Sequence, residues 1–233
     1  MPELPDLTLY LHHLEQRVLD APLVDVRLAS MFLLRTVEPP LDAVKGLCVK
    51  RLSRVGKQLV FSFDAELHMV IHLMVSGRLR WKEPLASIAG RNSVAAFDFP
   101  DGTLIFTEAS KKKRASLRIV DAAGLAALDL GGLEVFDISA AQFVERLRGS
   151  RHTLKRALTD QRVFAGIGNA YSDEILQRAG MSPFKRAGAL SDEEGAVLYN
   201  AVRDVLREWT ARLKKEAGNS FPDKVTAFHK QMA

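Results

Sequence analysis

The sequence holds a single cysteine, Cys48, in 233 residues. One cysteine excludes an internal disulfide and any zinc site built on several thiolates. No run of eighteen apolar residues occurs, so no segment reads as a membrane-spanning helix. The first twenty residues, MPELPDLTLYLHHLEQRVLD, carry acids and lack the apolar core of a signal peptide, so the chain is expected in the cytoplasm. Internal repeats and low-complexity tracts are also missing. What remains is ordinary soluble composition, 47% hydrophobic and 26% charged, enough for one large domain or two small ones. The net charge of +5 permits a polyanionic partner without requiring one.

Two halves read differently. Leu4, Leu7, Leu11, Leu14 and Val18 recur at three- and four-residue spacing, which predicts an amphipathic helix over 4–19 with Pro5 in its first turn. From there to about residue 120 the pattern is strand-like. VDVRLAS, KGLCVKRLSRVG, KQLVFSFD, LHMVIHLM, GRLRWKE, SVAAFDF, GTLIFTEA and RASLRIV are short, branched or aromatic, and separated by turn residues. After GGLEVFDIS (131–139) the period becomes helical, with Ser191 and Glu194 as a capping box and Gly180 and Gly218 as terminators. The expected fold is α+β: an N-terminal β-sandwich behind a leading helix (1–137), then an all-α domain (138–233). The final NSFPDKVTAFHKQMA reads as no element of its own.

The chemistry begins at MPELP. Methionine is trimmed when a small residue follows, and proline qualifies. The Pro2 nitrogen then becomes a secondary amine able to attack an electrophilic carbon and form an iminium ion. An α-amino group titrates at about 7.7–8.0, so part of it is unprotonated at neutral pH. Glu3 lies beside it as a candidate proton carrier. The plain alternative is that Pro2 and Glu3 only start a helix. Further on, RVFAGIGNAYSDEIL (162–176) sets two glycines and an asparagine before a helix, an arrangement that suits a phosphate or simply a tight interhelical turn.

MPELP, VGK (55–57), HLMVSGRLR (72–80) and AGIGNAYSDEIL (165–176), in this order and at these separations, resemble the formamidopyrimidine-DNA glycosylase family of base-excision repair enzymes. The resemblance spans nearly the whole chain. It implies a β-sandwich and a helix–two-turn–helix domain with DNA in the cleft between them. It makes Pro2 the nucleophile on the damaged nucleotide, Glu3 its acid/base partner and Lys57 the lysine that holds a phosphate beside the lesion. Asn169, with the backbone of Gly166 and Gly168, matches a phosphate clamp, and Lys155 aligns with a further lysine near the site. His72 matches a position near phosphate; a packed strand histidine is the other reading. The implied function is a bifunctional DNA glycosylase and abasic-site lyase that excises oxidised bases through a Schiff base on Pro2. It would act as a monomer on double-stranded DNA holding a damaged base or abasic site, nucleoid-associated, with no membrane partner and no cofactor in this chain.

Three departures stand out. The family's C-terminal zinc finger would begin about where KVTAFHKQMA ends, so a zinc ion is expected only if such a finger exists beyond it. The void-filling methionine before Ser-Gly is Val75 here, with Met74 one place earlier, and strand alternation would turn the two to opposite faces. The loop TEASKKKRASLRI (107–119) keeps Lys111, Lys112, Lys113 and Arg114 but lacks the family's phenylalanine wedge; the basic run is either a solvated loop or a phosphate contact. The family's acidic residue after the second proline is Asp6, and a further glutamate position is Thr8. His12 and His13 read as surface or interdomain residues, Trp81 and Trp209 as packing, and Asp173 and Glu174 as first-turn helix-dipole residues. Two rival functions remain: a damaged-DNA-binding protein of the same fold that has lost turnover, and an unrelated N-terminal-proline enzyme acting on a small electrophile. The lysine turn and the GIGN turn argue against the second.

Overall fold

The computed structural model describes residues 1–223, 225–227 and 232. Two compact units interleave along the chain. One holds Met1–Pro2, Leu7–Leu128 and the described part of 217–225; the other holds Glu3–Asp6, Asp129–Glu216 and the described residues from Thr226 on.

The first element is helix α1 (Leu4–Val18). Its buried stripe is Leu4, Leu7, Tyr10, Leu14 and Val18; Leu11 falls beside the stripe and is half-buried. Tyr10 is fully buried, and its hydroxyl accepts the Leu79 amide at 3.1 Å.

All eight segments of strand pattern are strands: β1 (Asp25–Leu28), β2 (Val49–Val55), β3 (Gln58–Phe63), β4 (His68–His72), β5 (Gly77–Lys82), β6 (Ser93–Phe99), β7 (Gly102–Glu108) and β8 (Ser116–Val120). They form two four-stranded antiparallel sheets, ordered β1-β6-β7-β5 and β2-β3-β4-β8. This is the sandwich architecture expected. Strands β3 and β4 are buried on both faces, where an open sandwich sheet would alternate. The reason is helix α2 (Ala122–Ala127), which the sequence pattern did not reveal. Asp121 caps it through the Gly124 amide, and Leu125 and Leu128 then pack on Val60, Val70 and Val120.

An ion pair centred on a buried carboxylate ties the first sheet together. Asp98, on β6 and 1% exposed, receives the Arg27 guanidinium from β1 through both oxygens, at 2.6 and 2.8 Å. Thr103, on β7, donates its hydroxyl to the same carboxylate at 2.6 Å. Three strands thus meet at one group whose desolvation is balanced by three donors.

The second unit is helical: α3 (Ala140–Arg148), α4 (Leu154–Thr159), α5 (Asn169–Arg178) and α6 (Asp192–Ala217). Ser191 and Glu194 exchange the two bonds of a capping box at the start of α6. Gly180 and Gly218 take positive φ, at 64° and 56°, after α5 and α6. The core is apolar and aromatic, with Phe143 stacked on Phe164 at 4.6 Å and Tyr171 edge-on to Trp209 at 6.1 Å. Replacing Asp98 with alanine leaves Arg27 and Thr103 without their acceptor. We expect a loss of about 3 kcal/mol in urea unfolding; a change under about 0.5 kcal/mol would show that the triad contributes nothing net.

Candidate functional site

The N-terminal segment is fixed by hydrogen bonds rather than by burial alone. Glu3 precedes α1 and its amide donates to Asp6 Oδ2 at 2.8 Å, the return half of a capping box. Its own carboxylate serves a different helix. Glu3 Oε2 accepts the amides of Gly168 (2.8 Å) and Tyr171 (3.2 Å), and Oε1 accepts that of Ala170 (3.1 Å). These amides belong to the start of α5, where backbone donors lack helical partners and the helix dipole favours an anion. Leu4 adds a backbone bond to the Gly166 carbonyl at 2.9 Å. Gly166 sits at φ 86°, a conformation that favours glycine, and its amide donates to Gln161 Oε1 at 2.9 Å. Glu3 and Asp6 are both almost wholly buried. Their charges, after burial itself, raise the pKa of the Tyr171 hydroxyl well above the ordinary phenol range.

The GIGN turn therefore differs from a bare phosphate cradle. The amides of Gly166 and Gly168 are taken by Gln161 and Glu3, and both glycines are buried. Asn169 alone of the four is exposed. Lys155, on α4, pairs with Asp173 at 2.7 Å. Asp173 stands one turn inside α5 rather than at its start, and its partner is this lysine. Asn169 and Lys155 line a shared cavity of about 480 Å³ with Arg156 and Phe184.

In the first unit, Gly56 and Lys57 form the two-residue turn between β2 and β3. Lys57 is only 6% exposed, which is not the state of a solvated turn lysine. His72, at the end of β4, pairs in register with Gln58 and Ser116. Its Nδ1 accepts the Met74 amide at 3.1 Å. Burial, with the charges of Arg118 and Lys57, pushes its pKa down to about 4. His72 is thus neutral at pH 7, and it marks where Lys57 and Arg118 bring positive charge together.

Met74 and Val75 do not alternate as strand neighbours, because β4 ends at His72 and β5 begins at Gly77. They lie in a tight turn, with Met74 at φ 53° and Val75 66% exposed. A Cβ at Gly77 would sit 2.1 Å from the Leu73 carbonyl oxygen, so the turn closes only around glycine. The basic loop is stapled to this turn. Ser76 accepts the Ser110 amide on its hydroxyl (3.0 Å) and the Ala109 amide on its carbonyl (3.4 Å). At the other end, Glu108, 1% exposed, accepts the amides of Arg114 (2.8 Å) and Ala115 (3.2 Å) on Oε1. Lys113 bonds back to the Glu108 carbonyl, while Lys111 and Lys112 remain exposed. Glu108 and Ser76 were not legible as site residues; an acid just before a basic run was the available signal.

His13 is buried edge-on against Phe221, unlike half-exposed His12, and Trp81 packs on Phe99. Among the described residues no group of three or more His, Cys, Asp or Glu side chains is placed to hold a metal ion. The donor set for a zinc finger is therefore not found there, and Phe228–Gln231 of the C-terminal stretch lie outside the described residues.

Two outcomes follow from this geometry. The depressed folded-state pKa of His72 means that its contribution to stability is complete above about pH 6.5 and is lost as the pH falls towards 4. Urea midpoints across that range should fall more steeply for the wild type than for His72→Gln; parallel curves would refute the link. Glu108→Ala should open the Lys111–Arg114 loop to trypsin, whereas Glu108→Gln, which keeps an acceptor oxygen, should retain most of the protection. Equal cleavage of Glu108→Ala and the wild type would dismiss the staple.

Comparison with known proteins bears on the family and the fold. The sequence model of the formamidopyrimidine-DNA glycosylase N-terminal domain matches residues 1–122, and that of the formamidopyrimidine-DNA glycosylase H2TH domain matches 133–219. The formamidopyrimidine-DNA glycosylase of Chloroflexus aggregans is 35% identical over 214 residues, covering 89% of this chain and 77% of that protein. That of Ligilactobacillus salivarius is 32% identical over 208 residues, covering 87% and 75%. In fold, the chain is similar to the Lactococcus lactis Fpg protein in complex with a THF-DNA and an inhibitor, with TM-score 0.81, 24% identity, and coverage of 90% of this chain and 79% of that one. A second Lactococcus lactis structure, non-covalently bound to an AP-site-containing DNA, gives TM-score 0.82 at 23% identity, covering 92% and 85%. With both domain models matched in order and relatives above 30% identity, this chain belongs to the formamidopyrimidine-DNA glycosylase family.

Proposed function

We propose that this protein is a DNA glycosylase of base excision repair that also cleaves at the resulting abasic site, with the Pro2 amine as its nucleophile. The observation that carries the reading is the docking of residues 3–6 on the start of α5, by Glu3 and Leu4. Three hydrogen bonds hold Glu3, the residue next to Pro2, at that helix start, and a fourth ties Leu4 to the Gly166 carbonyl just before it, as positioning of a reacting group requires.

While Met1 remains attached, the Pro2 nitrogen is a tertiary amide with no nucleophilic lone pair. Removal of Met1 makes it a secondary amine. Its lone pair attacks C1′ of the everted nucleotide, the glycosidic bond breaks, and the base leaves with a proton supplied by an acid. The nitrogen lone pair then expels O4′ from C1′, O4′ taking up the proton that the amine gives up, so that the sugar opens to an iminium that acidifies C2′–H. Loss of that proton expels the 3′ phosphate, and a second elimination expels the 5′ phosphate. Water then releases the sugar fragment and restores the amine.

Glu3 is the proposed acid/base partner, its oxygens fixed in place by the α5 amides. Lys57 and Asn169 are proposed to hold phosphates of the DNA backbone, Lys155 to support the second of them, and Lys111–Lys113 to add less specific phosphate contacts. Gly166 and Gly168 act by shaping the turn, and His72 by fixing the turn that presents Val75. The substrate is double-stranded DNA with a damaged base or an abasic site, and the protein acts as a monomer. No helix of the described residues is long and apolar enough to cross a membrane.

Borohydride reduction tests the reading. With Met1 removed, the wild type should be trapped covalently on an oligonucleotide containing an abasic site, and Pro2→Gly or a retained Met1 should cut trapping by at least about tenfold. Val75 and the missing aromatic favour one second reading, a binding protein without turnover. Normal DNA affinity with no adduct from the processed chain would select it.

A further inference from the structure

We propose that the Asn169 cavity takes a whole nucleotide unit, phosphate and deoxyribose together, with Phe184 supplying the apolar wall for the sugar. This deepens, and rests on, the DNA-binding reading above.

The cavity, about 480 Å³, has two chemically distinct sides. Lys155, Arg156, Thr153 and Asn169 give it cations, a hydroxyl and an amide. Pro183 and Phe184 give it an apolar side. An anion alone needs only the first side. A sugar-phosphate unit, anionic at one end and largely C–H at the other, fits both.

Phe184 is 83% exposed, more than any other phenylalanine among the exposed large hydrophobic residues described. Single exposed apolar residues are common on protein surfaces and carry no argument by themselves. What distinguishes this one is its backbone. Ser182 Oγ accepts the Phe184 amide at 3.3 Å. The Pro183 carbonyl accepts the Lys155 amide at 3.3 Å, and the Lys185 carbonyl accepts that of Leu154 at 2.8 Å. Ala187 donates to the His152 carbonyl at 3.0 Å. The residues on both sides of Phe184 are therefore bonded to the start of α4, the helix that carries Lys155 and Arg156. The ring is held in water on a fixed turn at the rim of a cationic cavity. Charge complementarity selects a polyanion as the occupant, and the ring selects one with an apolar face beside its phosphate. DNA meets both conditions.

The test is binding of the full chain to duplex DNA containing a tetrahydrofuran abasic-site analogue, measured over a range of salt. Phe184→Ala should weaken binding about tenfold, with the slope of log affinity against log salt unchanged, because no phosphate contact is lost. Phe184→Leu should recover most of the affinity. In Phe184→Trp, saturating DNA should shift the added emission over the background of Trp81 and Trp209. Since the side chain is exposed, all three variants should melt with the wild type. Wild-type affinity in Phe184→Ala, together with unmoved emission in Phe184→Trp, would overturn the inference. If Asn169→Ala then still weakens binding, the DNA reading survives it. If the wild type itself fails to bind, both fall. A concentration-dependent dimer abolished by Phe184→Ala would instead make the ring a self-association contact and would also overturn it.

Discussion

The carboxylate of Glu3 on the first turn of α5 is the interaction on which the site depends. A helix start presents amides that nothing within the helix can satisfy. In this chain no side chain of the helix itself caps them, because the cap position is Gly168. Glu3 fills that role from more than 160 residues away. The same contact solves two problems at once. It completes α5, and it prevents the first residues of the chain from fraying, which is the default for a terminus that is not tied down. Asp6 accepts the Glu3 amide at the start of α1, while the Glu3 carboxylate turns to α5.

The first unit repeats this device with other residues. Glu108 accepts two amides at the end of the basic loop, and Asp98 accepts Arg27 and Thr103 between strands. In each case a nearly buried carboxylate organises donors from outside its own strand. Such groups are costly to bury and are stable only when their acceptors are saturated, so each demands one local geometry. That rigidity matters most beside the Met74–Val75 turn. Ser76 and Glu108 hold the turn and the Lys111–Arg114 loop in a fixed relation, so whatever Val75 and the lysines touch, they touch as one body.

Much of this fold was legible in the sequence because period and punctuation are local. The stripe of α1, the eight strand segments and the Ser191 capping box depend on residues within a few places of one another. What escaped has a physical pattern. Helix α2 is six residues of mostly alanine and glycine, too short for a periodic signal, and it exists because Leu125 has a sheet face to cover. Met74 and Val75 read as strand neighbours because their residue types suit a strand, yet the Leu73 carbonyl and Gly77 close the chain into a turn there. The GIGN turn reads as open because the partner of its Gly168 amide, Glu3, lies far away in sequence, and nothing in the local pattern marks Gln161 as the partner of Gly166.

The amine chemistry and the fold also constrain each other in time. The bonds that dock the segment begin at Glu3 and Leu4, so they form whether or not Met1 is present. Pro2, however, is buried in the folded chain. A peptidase must enclose the bond it cleaves, and a buried Pro2 offers it no extended segment to grasp. On the amine mechanism proposed above, methionine removal must then precede the docking of residues 3–6 on α5. On that proposal the covalent state of one nitrogen, rather than the fold, separates an active molecule from a silent one.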